Sequence, residues 1–315
     1  MDFKNILVGG DPELLLSTDR KIDNIFYGSG KMIPALGLFG GTKENPVPIP
    51  GLPKGYKMQE DNVALEFNFP PANDGKDFSD RVTLAVSTLI KISNAKGYYV
   101  TRKSSAIFDE DVMTDERLKV FGCDPDFNAW TLEENSKPEP PYPNFRCAGG
   151  HVHISWEAEE DPSRDILKGI NLMRAMDVFA GLSSIEEDKA GVTRRQFYGK
   201  AGCYRQVKPN WFEYRVLSNF WVFNPYLSNS IFTKVIESAY LLKSKDGVDF
   251  LNDNGEKIQA LINSPNGNHL EFNEVKALEK EAFNISHKNM EMDGPITTVL
   301  REVRSEEHTS ELQSP

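Results

Sequence analysis

Cysteine is scarce in this sequence, and no cysteine pattern that would staple a small fold is present. Only three occur among 315 residues, Cys123, Cys147 and Cys203, and none forms a CxxC pair. An odd number of widely spaced thiols is typical of a reducing compartment, so we expect a cytoplasmic protein without disulfides. A chain of this length can bury a core large enough to fold without such links.

Long apolar runs are also missing. No stretch approaches the about 18 consecutive apolar residues that a membrane-spanning helix needs. The start of the chain, MDFKNILVGG, lacks the basic segment and long apolar core of a secretory signal. We therefore expect neither a membrane partner nor export.

The sequence has no excess of positive charge. Lys and Arg number 36 against 47 Asp and Glu, which gives a formal net charge of −11. Proteins that bind nucleic acid in general present a basic face, so a nucleic-acid partner is not expected.

The end of the chain does not resemble protein sequence. The stretch RSEEHTSELQS resembles the translation of a common sequencing adapter, so residues 304–315 are left out of fold and site prediction. Residues 1–303 are predicted to form a single catalytic domain, in which residues 110–147 are an irregular excursion, first acidic and then rich in proline.

The hydrophobic pattern predicts strands separated by single long helices or by loops, without a regular βα alternation. Strands are predicted at 5–17 (with a bulge at the two glycines), 61–69, 98–109, 149–156 and 211–218. Helices are predicted at 78–96, 161–184 and 224–244, with two shorter ones within 256–285. This order favours the α+β class with a mainly antiparallel sheet.

Four predicted strands place acids, histidines or an arginine on one face, because alternate residues of a strand share a face. These residues are Asp11 and Glu13, Glu66 and Asn68, His151 with His153 and Ser155, and Glu213 with Arg215. Each pattern alone has an ordinary explanation: a turn at DPE, hydrated imidazoles at HVH, an ion pair at EYR. The functional interpretation therefore depends on their combination.

Together these residues predict a metal site. A sheet face carrying Asp11, Glu13, Glu66, His151 and Glu213 would suffer strong repulsion unless cations lay among the carboxylates. Mostly carboxylate ligands with one or two imidazoles suit Mg²⁺ or Mn²⁺ better than zinc.

A basic segment containing glycines, TRRQFYGKAGCYR, adds Arg194, Arg195, Lys200 and Arg205. Guanidinium groups bind phosphate or carboxylate through paired hydrogen bonds, and glycine lets the backbone come close. Alone this segment would be a solvated basic loop, but beside an acidic metal site it indicates an anion clamp. The combination suits phosphoryl transfer from ATP, although the sequence has neither a P-loop motif nor a kinase glycine loop.

Six motifs resemble the glutamine synthetase and glutamate–cysteine ligase superfamily, and more closely its phage-type carboxylate–amine ligase branch. In chain order they are GGDPELLL, DNVALEFNF, GCDPDFNAW, RCAGGHVHIS, RRQFYGKAGCYR and FEYRVLSNFWVFNPYL. The resemblance implies a curved antiparallel sheet like that of the glutamine synthetase catalytic domain, with helices packed on its outer face. The concave face would bind ATP together with Mg²⁺ or Mn²⁺.

The resemblance also implies roles by motif position. The metal ligands would be Asp11, Glu13, Glu66, His151 and Glu213. The nucleotide would be bound by His153, Ser155, Lys200, Arg194 and Asn68. Catalytic arginines would be Arg215 at the transferred phosphate, with Arg195 and Arg205. A second acid is expected near Glu66, with Glu60, Asp61 and Asn68 as candidates, and Trp211 replaces an additional arginine of glutamine synthetase.

We therefore predict an ATP-dependent carbon–nitrogen ligase that forms an amide or peptide bond through an acyl phosphate. Its partners would be small-molecule or peptide carboxylates and amines, and it would act in the cytoplasm, that of the host if a phage encodes it. The general base for the amine is expected to be a carboxylate, without a choice among them. Alternatives are an ATP phosphotransferase resembling the guanidino kinases, a metal-dependent hydrolase using both histidines, and an inactive phage protein of the same fold.

Overall fold

The computed structural model describes residues 1–19, 27–28, 30–119, 126–264 and 269–293. Cys123, the first part of GCDPDFNAW and residues 304–315 lie outside the described residues. The described strands are β1 (Leu7–Gly10), β2 (Glu13–Leu14), β3 (Leu16–Ser17), β4 (Met32–Ile33), β5 (Val47–Pro48), β6 (Lys57–Asp61), β7 (Ala64–Asn68), β8 (Tyr99–Val100), β9 (Ser105–Ile107), β10 (Phe127–Asn128), β11 (Phe145–Cys147), β12 (Val152–Ser155), β13 (Cys203–Lys208) and β14 (Trp211–Tyr214). The described helices are α1 (Gly75–Ala95), α2 (Pro162–Met176), α3 (Ser184–Glu187), α4 (Gly191–Phe197), α5 (Pro225–Leu241), α6 (Lys245–Asn263) and α7 (His269–Asp293).

All pairings between these strands are antiparallel, and they build four sheets. The largest sheet has five strands in the order β1-β12-β14-β13-β10, and the next has four in the order β2-β7-β6-β5. The order β4-β3-β8 and the pair β11-β9 form the smaller sheets. The predicted α+β class with mainly antiparallel pairing is confirmed.

The first predicted strand, 5–17, is divided at Asp11–Pro12 and not at the glycines. β1 pairs with β12, whereas β2 pairs with β7 of the other large sheet. Pro12 has no N–H with which to continue a ladder, so the chain changes sheet there. The predicted bulge at the glycines is therefore wrong, because both lie inside β1. The change of sheet places Asp11 and Glu13 where the two large sheets meet.

The predicted strand 61–69 is the second half of a hairpin. β6 and β7 are joined by a two-residue turn in which Asn62 adopts a left-handed conformation with φ 55°. Asparagine tolerates this conformation better than most residues. After the turn, β7 follows the predicted alternation: Leu65 and Phe67 enter the main hydrophobic core, and Glu66 lies on the opposite face.

Helices cover one face of the five-stranded sheet. Val152, Ile154 and Phe212 are fully buried on this face, and α2 packs so closely on β14 that a Cβ on Gly169 would lie 2.1 Å from the Phe212 ring. α5 in turn packs on α1 and α2. Because side chains alternate along a strand, His153 and Glu213 project from the face opposite to these helices.

The three long predicted helices are confirmed as α1, α2 and α5. The Asp161 side chain accepts a hydrogen bond from the Ser163 N–H at the start of α2, and Asn224 caps α5 in the same way. α2 continues into a π-helical turn at Asp177–Gly181. α6 and α7 are longer than the two short helices predicted for 256–285. None of the described helices is both long and apolar enough to cross a membrane.

The excursion at 110–147 is mostly irregular in its described parts, as predicted, but it also completes the large sheet. Its segment β10 pairs with β13 at the sheet edge. Glu110–Val112 and Glu116–Lys119 form short 3-10 helices, and β11 pairs with β9. The excursion therefore lies against the strands that carry the predicted site residues.

Candidate active site

A row of polar side chains crosses the five-stranded sheet at one level. In the register of the sheet, His153 pairs with Glu213, and Glu213 pairs with Arg205. Residues directly opposite each other on neighbouring strands project to the same face, so the sheet itself brings these three side chains together. Arg205 Nη1 lies 3.3 Å from Glu213 Oε2.

Glu213 is the centre of this row and is only 1% exposed. Its Oε1 accepts a short hydrogen bond from Arg215 and lies 3.2 Å from His151 Nδ1. Burial opposes ionisation of this carboxyl group, but the Arg215 charge and the His151 contact outweigh burial and hold the pKa of Glu213 well below its usual range. The site therefore contains a buried carboxylate that stays ionised.

His151 has the hydrogen bonding expected of a metal ligand. Burial, assisted by the nearby Arg215 charge, lowers the pKa of His151 to about 4, so its imidazole is neutral at pH 7. Nδ1 faces Glu213, while Nε2 is buried and has no hydrogen-bond partner among the described residues. A metal-binding histidine commonly donates one N–H to a carboxylate and offers the lone pair of its other nitrogen.

His153 has the opposite arrangement. The Trp211 Nε1–H donates to His153 Nδ1 at 3.0 Å, so the proton of a neutral His153 lies on Nε2. That Nε2 lies 3.1 Å from Asp11 Oδ1. His153 therefore offers an N–H donor, which suits a phosphate oxygen. Trp211, noted from the sequence only as a departure from glutamine synthetase, fixes this orientation.

The first acidic cluster consists of Asp11, His153 and Glu213, whose potential ligand atoms lie within 4.8 Å of one another. Asp11 Oδ1 is buried, and its 3.1 Å contact with His153 Nε2 lacks hydrogen-bond geometry, so this oxygen has no hydrogen-bond partner in the described part of the chain. By proximity to the carboxylates, His153 would be the metal ligand. By hydrogen bonding, His151 is favoured as the ligand. The division of roles between the two histidines stays a prediction.

The second acidic cluster consists of Glu13, Asp61 and Glu66, also within 4.8 Å of one another. Burial, with a contribution from Asp61, raises the pKa of Glu13 to about 7. Burial, together with the charges of Asp11, Asp61 and Glu13, raises the pKa of Glu66 well above its usual value. The carboxylates therefore repel one another unless a proton or a cation lies between them.

Among the candidates for a second acid near Glu66, the structure brings Asp61 into the cluster. Glu60 is turned towards the loop before β5, where it accepts hydrogen bonds from the backbone N–H groups of Gly37, Phe39 and Gly40 at 2.6–2.7 Å. Asn68 lies two residues beyond Glu66 at the end of β7. Asp61 ends β6 and pairs with Ala64 of β7 across the hairpin turn, so the hairpin places Asp61 beside β7.

Gly149 lies between Glu13 of the second acidic cluster and His151. Its N–H donates to Glu13 Oε2 at 2.6 Å. A Cβ at this position would lie 2.3 Å from His151 Nε2, so only glycine allows the imidazole to occupy its present place. The glycine pair before the histidine strand is therefore required by close approach.

Arg215 is 1% exposed and joins the clusters to groups that sequence reasoning missed. It donates to Tyr198 Oη, and its Nε lies 3.4 Å from Asp126 Oδ2. The Tyr198 ring also lies 6.2 Å from the His151 ring. Asp126 and Tyr198 both lie in motifs that carried the family resemblance, GCDPDFNAW and RRQFYGKAGCYR, and this was the available signal.

Several residues predicted to bind the nucleotide, and the predicted catalytic Arg195, are not brought to these clusters by the described contacts. Arg194 donates to the Val216 carbonyl at 2.7 Å, and Arg195 donates to Ser184 Oγ at 2.8 Å. Both arginines are buried because their segment is the helix α4 and not a solvated loop. Lys200 is exposed in the turn after α4, and Ser155 lies half-buried at the end of β12. These contacts lend no support to their predicted roles.

A cavity of about 720 Å³ opens beside the clusters. Asp61, Asp126 and Tyr198 line it on the side of the site, and residues 41–44 and 134–138 line it elsewhere. A cavity of this volume accommodates a small-molecule ligand. The site thus combines buried acids, imidazoles and arginines with space for a substrate, an arrangement suited to divalent cations and anionic ligands.

Comparison with known proteins finds a family model that matches part of the chain. Residues 137–253 match the family described as phage phiEco32-like COOH.NH2 ligase-type 2. This match confirms the resemblance to the phage-type carboxylate–amine ligases and supports a ligase that joins a carboxylate to an amine. The matched segment holds both histidines, β14 and α4, and the acids of the N-terminal strands lie outside it. No curated protein matches the chain.

Proposed function

We propose that this protein is an ATP-dependent ligase that joins a carboxylate to an amine through an acyl-phosphate intermediate. The observation that carries the proposal is the position of Arg205 and Arg215 on Glu213, beside two clusters of buried acids. Phosphoryl transfer needs positive charge around the phosphate oxygens, and cations and guanidinium groups supply it together.

The residues present fit Mg²⁺ or Mn²⁺. One ion would be held by Asp11, Glu213 and an imidazole, and another by Glu13, Asp61 and Glu66. Buried atoms without hydrogen-bond partners, Asp11 Oδ1 and His151 Nε2, fit such ligation. Oxygen-rich ligand sets favour these ions over zinc. When bound, the ions neutralise phosphate charge and orient the reacting groups.

The protein's own groups position the substrates. Arg215 is held in one orientation by Glu213 and Tyr198, so its guanidinium is preorganised to stabilise charge on the transferred phosphate. His153 Nε2–H would donate to a phosphate oxygen, and Arg205 would bind phosphate or the substrate carboxylate. The cavity beside Asp61 and Tyr198 would hold the substrate to be activated.

The proposal extends to the fold and the setting. The two large antiparallel sheets would correspond to the curved sheet of the glutamine synthetase catalytic domain, within a single domain of residues 1–303. The substrates would be small-molecule or peptide carboxylates and amines. Because cytoplasm supplies ATP and keeps the free thiols reduced, the protein would act there.

The decisive experiment is calorimetric titration of a non-hydrolysable ATP analogue in the presence and absence of Mg²⁺ or Mn²⁺. We expect binding that depends on the cation and that is lost in Glu213→Gln, whereas the exposed-site variant Asp253→Asn keeps it. A screen for ADP release over amino acids and amines then identifies the substrates. The absence of analogue binding with either cation would exclude the proposal.

Analysis of the products separates the ligase from the alternatives. A ligase releases inorganic phosphate and forms an amide, whereas a phosphotransferase leaves a stable phosphorylated product. A metal-dependent hydrolase would act without ATP.

A further inference from the structure

The segment that follows β10 is fixed tightly against the large sheet. The Ala129 N–H donates to the Gly202 carbonyl at 2.8 Å, and Arg174 Nε donates to the Ala129 carbonyl at 2.7 Å. Trp130 Nε1 donates to Asp177 at 2.7 Å, in the π-helical turn that continues α2. The segment after Asp126 is therefore held by β13's preceding turn and by α2 with its continuation, and the Asp126 side chain is presented from a fixed position.

The Asp126 carboxylate has partners on both oxygens. Oδ1 accepts from Asn135 Nδ2 at 3.0 Å, and Oδ2 accepts from the Cys203 thiol at 2.9 Å. Burial raises the pKa of Cys203 well above its usual value, so the thiol stays protonated and remains a donor. Oδ2 also lies 3.4 Å from Arg215 Nε. These contacts hold the carboxylate in one orientation.

Asp126 also faces the cavity. Its side chain is 13% exposed, and it lines the cavity wall together with Asp61 and Tyr198. Of the acids Asp61 and Asp126, Asp61 belongs to the second acidic cluster. Asp126 instead contacts Arg215, the guanidinium placed at the transferred phosphate. A group bound to Asp126 from the cavity would therefore lie beside the activated carboxylate.

We propose that Asp126 is the amine-binding residue of this site and the base that deprotonates the attacking amine. The inference rests on the proposed ligase function and goes beyond it by assigning the second substrate. Primary amines are ammonium ions at neutral pH, and an ammonium ion requires an anionic partner on the path to the acyl phosphate. Asp126 supplies that charge from a fixed backbone, and its 3.4 Å contact with Arg215 brings amine and acyl phosphate together.

The step balances as follows. The ammonium group transfers one proton to Asp126 and becomes a neutral amine. Its nitrogen lone pair attacks the acyl carbon, a C–N bond forms, and the C–O bond to phosphate breaks. The nitrogen then gives one of its two remaining protons to the departing phosphate, which leaves as hydrogen phosphate. Asp126 then returns its proton to solvent through the cavity.

The test compares two nucleophiles in wild type and in Asp126→Asn. Hydroxylamine is mostly uncharged at neutral pH and traps acyl phosphates as hydroxamates, so it needs neither an ammonium site nor a base. With ATP, Mg²⁺ and an equimolar amino-acid mixture as carboxylates, we expect Asp126→Asn to keep hydroxamate formation within about threefold of wild type. Amide formation from methylammonium should fall by at least about a hundredfold, the size typical of a lost general base.

Two further variants control for structure. Asp253→Asn removes an exposed carboxylate outside the cavity lining and should leave both reactions unchanged. Asp126→Glu keeps the charge and should recover part of the amide reaction. Thermal unfolding of each variant shows whether the loss of the Arg215 contact has altered the fold.

The outcomes separate this inference from the function on which it rests. Equal loss of both reactions in a folded Asp126→Asn protein would mean that Asp126 only positions Arg215, and equal retention would mean that it does not bind the amine. Either result overturns the inference and leaves the ligase intact. If wild type forms neither hydroxamate nor amide and releases no ADP, the ligase proposal fails, and the role of Asp126 fails with it.

Discussion

Glu13 and Glu66 lie directly opposite each other on β2 and β7, as a cross-strand pair of two buried acids. Like charges at such a position destabilise a sheet, and burial removes the water that would screen them. With Asp61 beside them, the pair forms a local concentration of negative charge that folding alone does not favour. A divalent cation between the carboxylates, as proposed, would make the arrangement favourable.

Removal of one of these charges should stabilise the protein in the absence of metal. Glu66→Gln keeps the shape of the side chain, and we expect the free energy of unfolding at pH 7.5 in EDTA to rise by about 1 kcal/mol. The same variant should lose the stabilisation that Mg²⁺ or Mn²⁺ gives to wild type. Thermal unfolding with and without the cation measures both effects. A Glu66→Gln protein less stable than wild type in EDTA would contradict this account.

Substitution of the two histidines should affect the binding of different ligands. Because His151 Nε2 has no partner and His153 Nε2 carries a proton, we expect His151→Asn to weaken Mn²⁺ binding by at least about tenfold. His153→Asn should leave cation affinity nearly unchanged and weaken the binding of the ATP analogue. Titration calorimetry measures both quantities. Loss of cation affinity in His153→Asn alone would reverse the assignment and favour the Asp11, His153 and Glu213 cluster as the ligand set.

Gly149→Ala tests the close approach of the His151 imidazole to the Gly149 backbone. The added Cβ would lie 2.3 Å from His151 Nε2, so the imidazole must move. We expect a cost of about 1–3 kcal/mol in stability, as for an overpacked core, and weaker cation binding. Gly9→Ala is the matched control: it lies opposite His153 in the same sheet, but its nearest contact would be an ordinary 3.5 Å to Pro71. Equal behaviour of the two variants in unfolding and cation titration would refute the steric argument.

The parts of the fold that the sequence predicted correctly depend on local patterns. The helical spacing defined α2 and α5, and the alternation of GGHVHIS and FEYRVLS defined β12 and β14. The faces of these strands followed from the two-residue period alone. Sequence periodicity therefore sufficed wherever an element forms from contiguous residues.

What the sequence did not predict depends on contacts between distant segments. The change of sheet between Asp11 and Glu13, and the position of Asp61 near Glu66, arise from turns whose direction no periodicity encodes. The basic segment was predicted to act as one unit because its charges are contiguous. In the structure, α4 buries Arg194 and Arg195 against carbonyl and hydroxyl groups, whereas Arg205, on β13, lies at Glu213. Helical packing separated charges that a loop would have kept together.

A buried acid away from the site should make stability depend on pH. Asp177 is fully buried and accepts hydrogen bonds from Trp130 and from Tyr214, the neighbour of Glu213 in β14. Burial raises the pKa of Asp177 to about 7 against these hydrogen bonds. Because the folded protein then binds a proton more tightly than the unfolded chain, this group's contribution is most favourable at low pH. It is lost progressively as pH rises from 3.8, the usual pKa of an aspartate, towards 7.

Asp177→Asn removes this titration while keeping a group that can pair with Trp130 and Tyr214. Between pH 5 and pH 8, we expect the stability of wild type relative to the variant to fall by an amount on the order of 2 kcal/mol. Urea unfolding of both proteins at several pH values measures this difference, in which the titration of the acidic clusters cancels. A difference between wild type and variant that stays constant across this range would show that Asp177 is ionised throughout, and that its two hydrogen bonds outweigh its burial.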